Sequence, residues 1–152
     1  MSQELITLLV GASPIAEVRG AIPLALGAFH FGALKAYVLG VGGNLIPIIP
    51  GFLFLRYAAS WCIQHVYILN RFFTWLFERT RSRHGEKFET WSMLVLFLFV
   101  AIPLPLTGVY SGIVVAFLFN LPFWRSIFAI SLGAATAGLI VLAATLGFIF
   151  VF

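Results

Sequence analysis

Four long apolar runs dominate the chain, at residues 5–34, 36–55, 91–119 and 126–152. A helix needs about 20 residues to cross the hydrocarbon core of a bilayer. The second run has that length, and the fourth is long enough to cross with some tilt. The first and third runs are interrupted near their centres, which is not typical of a simple spanning helix.

The interruptions contain prolines. The first run is broken between Pro14 and Pro23, and the third by the sequence AIPLPLTG, which contains Pro103 and Pro105. A proline inside a helix removes a hydrogen bond and clashes with the preceding turn. A kinked transmembrane helix is one interpretation, because membranes tolerate such breaks. We favour a re-entrant hairpin, since arms of about 11 to 14 residues reach roughly the middle of a bilayer core.

An internal repeat supports the hairpins. The sequence AIPL occurs at 21–24 and again at 101–104, and each copy is followed by a turn, a basic residue and a new apolar run. This predicts one membrane domain over residues 1–152 with two units, 5–55 and 91–152, each a re-entrant hairpin followed by a transmembrane helix. Because a hairpin returns to its own side and a spanning helix crosses, the second unit is inverted, as in many secondary transporters.

The segment 56–90 would connect the two units. It carries most of the basic residues, and the excess of Lys and Arg on cytoplasmic segments predicts a cytoplasmic connector with both termini outside. Its first part has one polar stripe on a mostly apolar helix: Ser60, Gln64, Tyr67, Arg71, Thr74 and Glu78. We therefore expect an amphipathic helix in the membrane interface, followed by a solvated loop at 79–89. A fifth spanning helix is the alternative for the connector, and four full spans are the alternative for the runs.

Amino-acid composition also indicates a membrane protein. Of the 152 residues, 62% are hydrophobic and 9% charged, whereas a soluble domain is about half apolar and a quarter charged. We predict an all-α integral protein of the inner or plasma membrane, surrounded by lipid. The connector accounts for most of the net charge of +4, so we expect no nucleic-acid partner. With one cysteine, Cys62, and three scattered histidines, no disulfide, metal or cofactor is predicted.

The first interruption, PIAEVRGAIPL, contains Glu17 and Arg19. Charges at this depth are costly and are functional by default. A direct pair between residues two apart requires the chain to leave the helix, which Gly20 and Pro23 allow. An apolar environment disfavours a charged carboxylate, whereas a nearby Arg favours it. Glu17 would then exchange a proton as Arg19 gains or loses an anionic partner; a purely structural pair is the alternative.

The second interruption has no charge, but it offers hydroxyls, glycines and backbone groups freed by its prolines. Facing the first interruption, it would complete a polar cavity, which Asn44 could also reach. Close packing of small residues is the alternative interpretation. The predicted substrate- and proton-binding residues are Glu17, Arg19, Gly20, Pro23, Asn44, Pro103, Pro105, Thr107, Gly108 and Tyr110.

The two interruptions, EVRGAIPL before a Gly/Ala-rich helix and IPLPLTGVYSG after a basic linker, resemble the small multidrug export protein family over nearly the whole chain. The pattern is also similar to the wider DedA/VTT superfamily, whose members carry two re-entrant hairpins and are linked to lipid or lipid-phosphate translocation. The matching residues are Glu17, Arg19, Pro23, Pro103, Pro105, Thr107 and Gly108. DedA proteins usually have arginines around the second hairpin, and this chain has none between Lys87 and Arg125, which argues against a phosphate-gripping mechanism.

We therefore expect a proton-coupled secondary transporter or flippase for an amphipathic, lipid-like substrate. If that substrate is anionic, Arg19 is suited to bind it. A small multidrug or cation exporter with Glu17 as the binding carboxylate is one alternative. A non-transporting structural membrane subunit is another. An enzyme is not expected, because the sequence has no histidine-based acid–base pair, no metal set and no nucleophile spaced from a base.

A homodimer is also expected. Irregular backbone at membrane depth must be shielded by protein or by a water-filled cavity, and two spanning helices are few to surround two hairpins. Two-fold pairing is the commonest symmetry of oligomers. Native mass spectrometry in mild detergent tests this, and a monomer that stays stable and active at all concentrations would contradict it.

Overall fold

The computed structural model describes residues 2–65, 86–104 and 107–151, together with positions 71, 74, 75 and 78. Within these residues the chain is helical and contains no strand, which confirms the all-α prediction. The described ranges contain the helices α1 (Gln3–Gly11), α2 (Glu17–Gly27), α3 (Ala33–Leu45), α4 (Ile48–His65), α5 (Glu86–Ala101), α6 (Val109–Leu118) and α7 (Phe123–Val151).

Two helical stretches are long and apolar enough to cross a membrane, Ala33–Ala58 and Phe123–Ile149. The first contains α3 and the start of α4, and the second lies within α7. Helix α4 continues to His65, so the described start of the predicted connector helix is an extension of α4. Helix α5 begins at Glu86, inside the predicted loop 79–89, and the rest of that loop lies outside the described residues.

The two long stretches pack antiparallel to each other. Near the start of α3, the Tyr37 hydroxyl donates to the Ala135 carbonyl oxygen at 3.0 Å. A Cβ built at Gly138 would lie 3.1 Å from the Tyr37 ring. In α4, the Phe52 ring packs edge-on against Phe123 with centroids 5.4 Å apart. Higher residue numbers in one stretch thus face lower numbers in the other, so the start of α7 lies beside α4.

Helices α1 and α2 form a hairpin on α3. Glu4 near the start of α1 forms an ion pair with Lys35 near the start of α3, at 2.6 Å. Gly11 at the end of α1 packs against Gly43 near the end of α3, so these two helices run in the same direction. The short connection 28–32 returns α2 to the start of α3. Both the start of α1 and the end of α2 therefore lie at the Ala33 end.

Helices α5 and α6 form a second hairpin, on α7. Val100, near the end of α5, packs against Gly133 in α7, where the absence of a side chain allows the close contact. Pro103, just beyond α5, lines a cavity with Ala137, one turn further along α7, so α5 and α7 run in the same direction. The short connection 119–122 brings α6 back to the start of α7. The two hairpins thus approach from opposite ends and meet at residues 12–16 of the first and residues 102–104 and 107–108 of the second.

Each hairpin has a buried apolar cluster. One joins α2, α3 and α7: Val18, Ile22, Ala25, Leu26, Ala36, Val41 and Ala137. The other joins α4, α5, α6 and α7: Ile48, Phe52, Leu96, Val100, Val109, Ile113, Ala116, Ala129, Ile130 and Ala134. Many large apolar side chains remain exposed on the outer surface, including Phe54, Trp61, Trp124 and Phe128. An apolar outer surface of this extent is the one expected against lipid.

Candidate functional site

The first interruption ends in an unusual backbone conformation. Glu17 begins α2 with φ at 48°, in the left-handed region that residues other than glycine rarely adopt. Its N–H donates to the Ser13 carbonyl oxygen at 3.1 Å, which closes the turn between α1 and α2. The Glu17 residue is only 4% exposed. Backbone strain of this kind tends to occur at functional sites, where surrounding contacts hold it in place.

Glu17 and Arg19 lie side by side. The Arg19 Nη2 atom is 3.5 Å from the Glu17 Oε2 atom, and the Arg19 side chain remains 26% exposed. Residues two apart on a regular helix point away from each other. Here the backbone of Glu17 departs from helical geometry, and the two charged groups meet.

Arg19 also connects the two hairpins. Its Nη1 atom donates to the backbone carbonyl oxygen of Leu104, in the second interruption. A charged donor makes a stronger hydrogen bond than a neutral one. The guanidinium group therefore lies between the Glu17 carboxylate on its own hairpin and the Leu104 carbonyl on the other.

The Glu17 carboxylate lies at the start of α6. The backbone N–H groups of Val109 and Tyr110 hydrogen-bond to it. These amides are in the first turn of α6, where N–H groups have no partner within the helix and the helix dipole favours an anion. A Cβ atom at Gly108 would overlap the carboxylate, so glycine is required for this close approach. Glu17 thus caps a helix that lies about ninety positions further along the chain.

Thr107 holds the turn of the second interruption. Its hydroxyl donates to the Ile102 carbonyl oxygen at 2.6 Å and accepts from the Leu104 N–H at 3.1 Å. These bonds replace helical ones that the prolines interrupt. They fix the position of Leu104, whose carbonyl oxygen is then presented to Arg19.

Tyr110 forms a further connection between the hairpins, since its hydroxyl donates to the Ala12 carbonyl oxygen. Beside it, the Ser111 hydroxyl donates to the Gly108 carbonyl oxygen at 3.2 Å, within the first turn of α6. The two hairpins are thus joined at three places: through Glu17, through Arg19 and through Tyr110.

An open cleft of about 710 Å³ adjoins this junction. It is lined by Pro14, Ile15, Ala16, Glu17, Arg19, Gly20, Thr107, Tyr110 and Ser111. Sites for small organic ligands are typically about 300–1,000 Å³, mostly apolar and with a few polar groups. The cleft has this character, with an ion pair and hydroxyl groups set among apolar and small residues.

A second, enclosed cavity of about 10 Å³ also borders Glu17 and Arg19. Asn44, Pro103, Thr107 and Gly108 are among its walls. Most of the predicted site residues therefore come together around the two cavities.

One described residue among the predicted site residues lies away from both cavities. Pro23 lies inside α2 and lines neither cavity. Pro105 lies outside the described residues. The backbone carbonyls of Ala12 and Leu104 could not be predicted from the sequence, because a carbonyl acceptor carries no side-chain signal. Among the described residues, no group of three or more His, Cys, Asp or Glu side chains is arranged to hold a metal ion.

Comparison with known families gives one match. A family model described as "Putative small multi-drug export protein" matches residues 17–140, most of the chain. The match begins at Glu17 and includes most of the first interruption, all of the second, the whole of the first candidate span and more than half of α7. No curated protein and no solved structure matches the chain.

Proposed function

Because the chain belongs to the small multidrug export protein family and carries two helical stretches able to cross a bilayer, we propose that this membrane protein transports an amphipathic, lipid-like anion together with a proton. Glu17 would carry the proton and Arg19 would bind the anionic group. The observation that carries the proposal is the Glu17 carboxylate, which is buried between Arg19 and the first turn of α6 on the wall of the large cleft.

The proposed topology has two re-entrant hairpins, α1–α2 and α5–α6, in two inverted units. It is supported by the packing directions: the first hairpin begins and ends at the Ala33 end of α3, and the second at the Phe123 end of α7. The irregular backbone at 12–16, 102–104 and 107–108 would lie at mid-membrane, shielded by protein and bordering the cleft. The connector 56–90 would be cytoplasmic in the inner or plasma membrane, with both termini outside.

Reporter fusions test the topology. We expect a reporter at residue 152 to be extracytoplasmic, because two hairpins and two spans place the C-terminus opposite the arginine-rich connector. A fusion at residue 71, within the connector, is the matched cytoplasmic control. A cytoplasmic reporter at residue 152 would contradict the hairpins and would favour four full spans.

The electrostatics of the site favour an anionic substrate. Arg19 and the first-turn amides of α6 are groups that attract negative charge, and Glu17 occupies them in this structure. Protonation of Glu17 removes its charge, and the guanidinium and amide groups can then take the anionic group of a substrate. When the substrate leaves, the carboxylate releases its proton and returns to Arg19.

This exchange has a definite charge balance. One proton binds a Glu17 oxygen when one anionic group binds Arg19, so a singly charged anion and its proton move with no net charge. The direction of transport then follows the sum of the two concentration gradients. Export, as the family description states, would occur when the substrate accumulates inside the cell.

A small multidrug or cation exporter is the second candidate, and export of a drug is consistent with the family description. It would use the Glu17 carboxylate to bind an organic cation. That carboxylate already has a guanidinium partner and two backbone donors. A cation would have to displace Arg19, and two positive groups would then share one apolar site.

Purified protein in liposomes separates the candidates. We expect an acidic lumen to drive efflux of a fluorescent lipophilic carboxylate, with loss of lumenal protons at the same rate. A lipophilic quaternary ammonium ion should remain inside. Movement of the ammonium ion alone would establish the cation exporter, and movement of neither would indicate a structural subunit.

A further inference from the structure

Asn44 is a second buried polar residue beside Glu17. It lies in α3, is 1% exposed, and its Oδ1 atom has no hydrogen-bond partner among the described residues. A buried acceptor that lacks a donor has lost its hydrogen bonds to water without replacement, which is unfavourable. Since buried polar groups are nearly always paired, an exception at a proposed proton site requires an explanation.

The enclosed cavity brings Asn44 and Glu17 together. Both residues line its volume of about 10 Å³, which is about the space that one water molecule needs. The cavity is also lined by Arg19, the ion-pair partner of Glu17, and by the hydroxyl residue Thr107. The other lining residues are small or apolar: Val18, Val100, Pro103, Gly108, Ala134 and Ala137. Glu17 also lines the large cleft, so it borders both spaces.

The Asn44 Oδ1 atom can receive a hydrogen bond from Glu17 in only one charge state of the carboxyl group. The Asn44 Oδ1 atom is an acceptor, and an ionised carboxylate has no hydrogen to offer it. A protonated Glu17 has one O–H donor. Arg19 directs one nitrogen to the Leu104 carbonyl oxygen and another to Glu17.

We propose that Asn44 accepts a hydrogen bond from protonated Glu17, directly or through one water molecule, and so positions the carboxyl group in its neutral state. This inference rests on the proposed function, which requires a protonated Glu17. It makes Asn44 a positioning residue: the neutral carboxyl group turns toward α3 and leaves Arg19 and the start of α6 to the substrate.

Other groups near Glu17 do not take this role. Of the residues that line the two cavities, Arg19 and Tyr110 are the other titratable ones. Arg19 carries only donors, and the Tyr110 hydroxyl donates to Ala12. Helix α7 contributes only Ala134 and Ala137 to the enclosed cavity. Among the described residues that line the enclosed cavity, Asn44 is the one whose buried side-chain acceptor has no hydrogen-bond donor.

Infrared spectroscopy of the protein in lipid nanodiscs can follow Glu17 directly. The whole chain has five acidic side chains, and Glu17→Gln identifies the acid C=O band of Glu17. Asn44→Leu removes the acceptor with little change in size, and Asn44→Ser keeps an oxygen. Ser126→Ala is the matched control, because the Ser126 hydroxyl is also buried and without a partner but lines neither cavity.

In Asn44→Leu, we expect the pH of half-protonation of Glu17 to fall by about one unit, a tenfold change in the protonation equilibrium, because the neutral state loses a hydrogen bond. Asn44→Ser should restore part of the shift, and Ser126→Ala should leave the midpoint unchanged. If Asn44 only keeps its surroundings polar, leucine would instead favour the neutral carboxyl group and raise the midpoint. A rise, or no shift, would overturn the proposal.

The measurement also separates this inference from the proposed function, since the band is recorded without substrate. A downward shift together with no anion transport would support the role of Asn44 and reject the proposed function. An unshifted midpoint in a protein that still moves anions would reject the role of Asn44 alone.

Discussion

Substitution of Glu17 by glutamine should abolish proton-coupled transport while the protein stays folded. Glutamine keeps the size of the side chain and an oxygen for the N–H groups of Val109 and Tyr110, but it cannot take up and release a proton. Anion efflux driven by an acidic lumen should fall to the rate of protein-free liposomes. The loss of the charged partner of Arg19 should cost only about 1–2 kcal/mol of stability.

Glu4→Gln is the matched control for this experiment. Glu4 lies on the same hairpin and also forms an ion pair, with Lys35, but its side chain is 53% exposed. Exposed pairs contribute at most about 1 kcal/mol, so transport and thermal stability should be nearly unchanged. Wild-type activity in Glu17→Gln would refute proton exchange at this site. Loss of expression together with activity would mean that the Glu17–Arg19 pair is structural.

Gly108→Ala should destabilise the protein by about 3 kcal/mol or more. The new methyl group would occupy the position of the Glu17 carboxylate, and φ at Gly108 is 158°, which side chains disfavour. The carboxylate would have to leave Arg19 and the start of α6, and the junction between the hairpins would separate. Thermal unfolding in detergent, followed by circular dichroism, should show a midpoint many degrees lower.

Two further variants serve as controls for this measurement. Gly147→Ala adds the same methyl group in open space on α7 and should leave the unfolding midpoint unchanged. In the Glu17→Ala background, Gly108→Ala should cost much less, because the group that it displaces is gone. Additive effects of the two substitutions would show that Gly108 and Glu17 do not interact, since residues in contact show coupling energies of about 0.5–3 kcal/mol.

Hydrophobic pattern and composition were sufficient for the helical class and for the two candidate spans. An apolar run of about 20 residues has few soluble explanations, and the breaks at Pro14 and Pro103 are visible in the chain because proline acts locally on the backbone. Glu17 and Arg19 could be identified from the sequence as candidate site residues, because charges inside an apolar run are rare and costly. The end of α4 could not be located this way, because its helix continues past Arg56 without a breaker.

The arrangement of the site was decided by tertiary contacts. The bond from Arg19 to Leu104 joins residues 85 positions apart, and that from Tyr110 to Ala12 joins residues 98 apart. Both acceptors are backbone carbonyls, which every residue possesses, so no residue type indicates them. The match between Gly108 and the Glu17 carboxylate likewise exists only when the two hairpins meet. Local propensity determines where the chain bends, whereas close packing of distant segments determines which bends face each other.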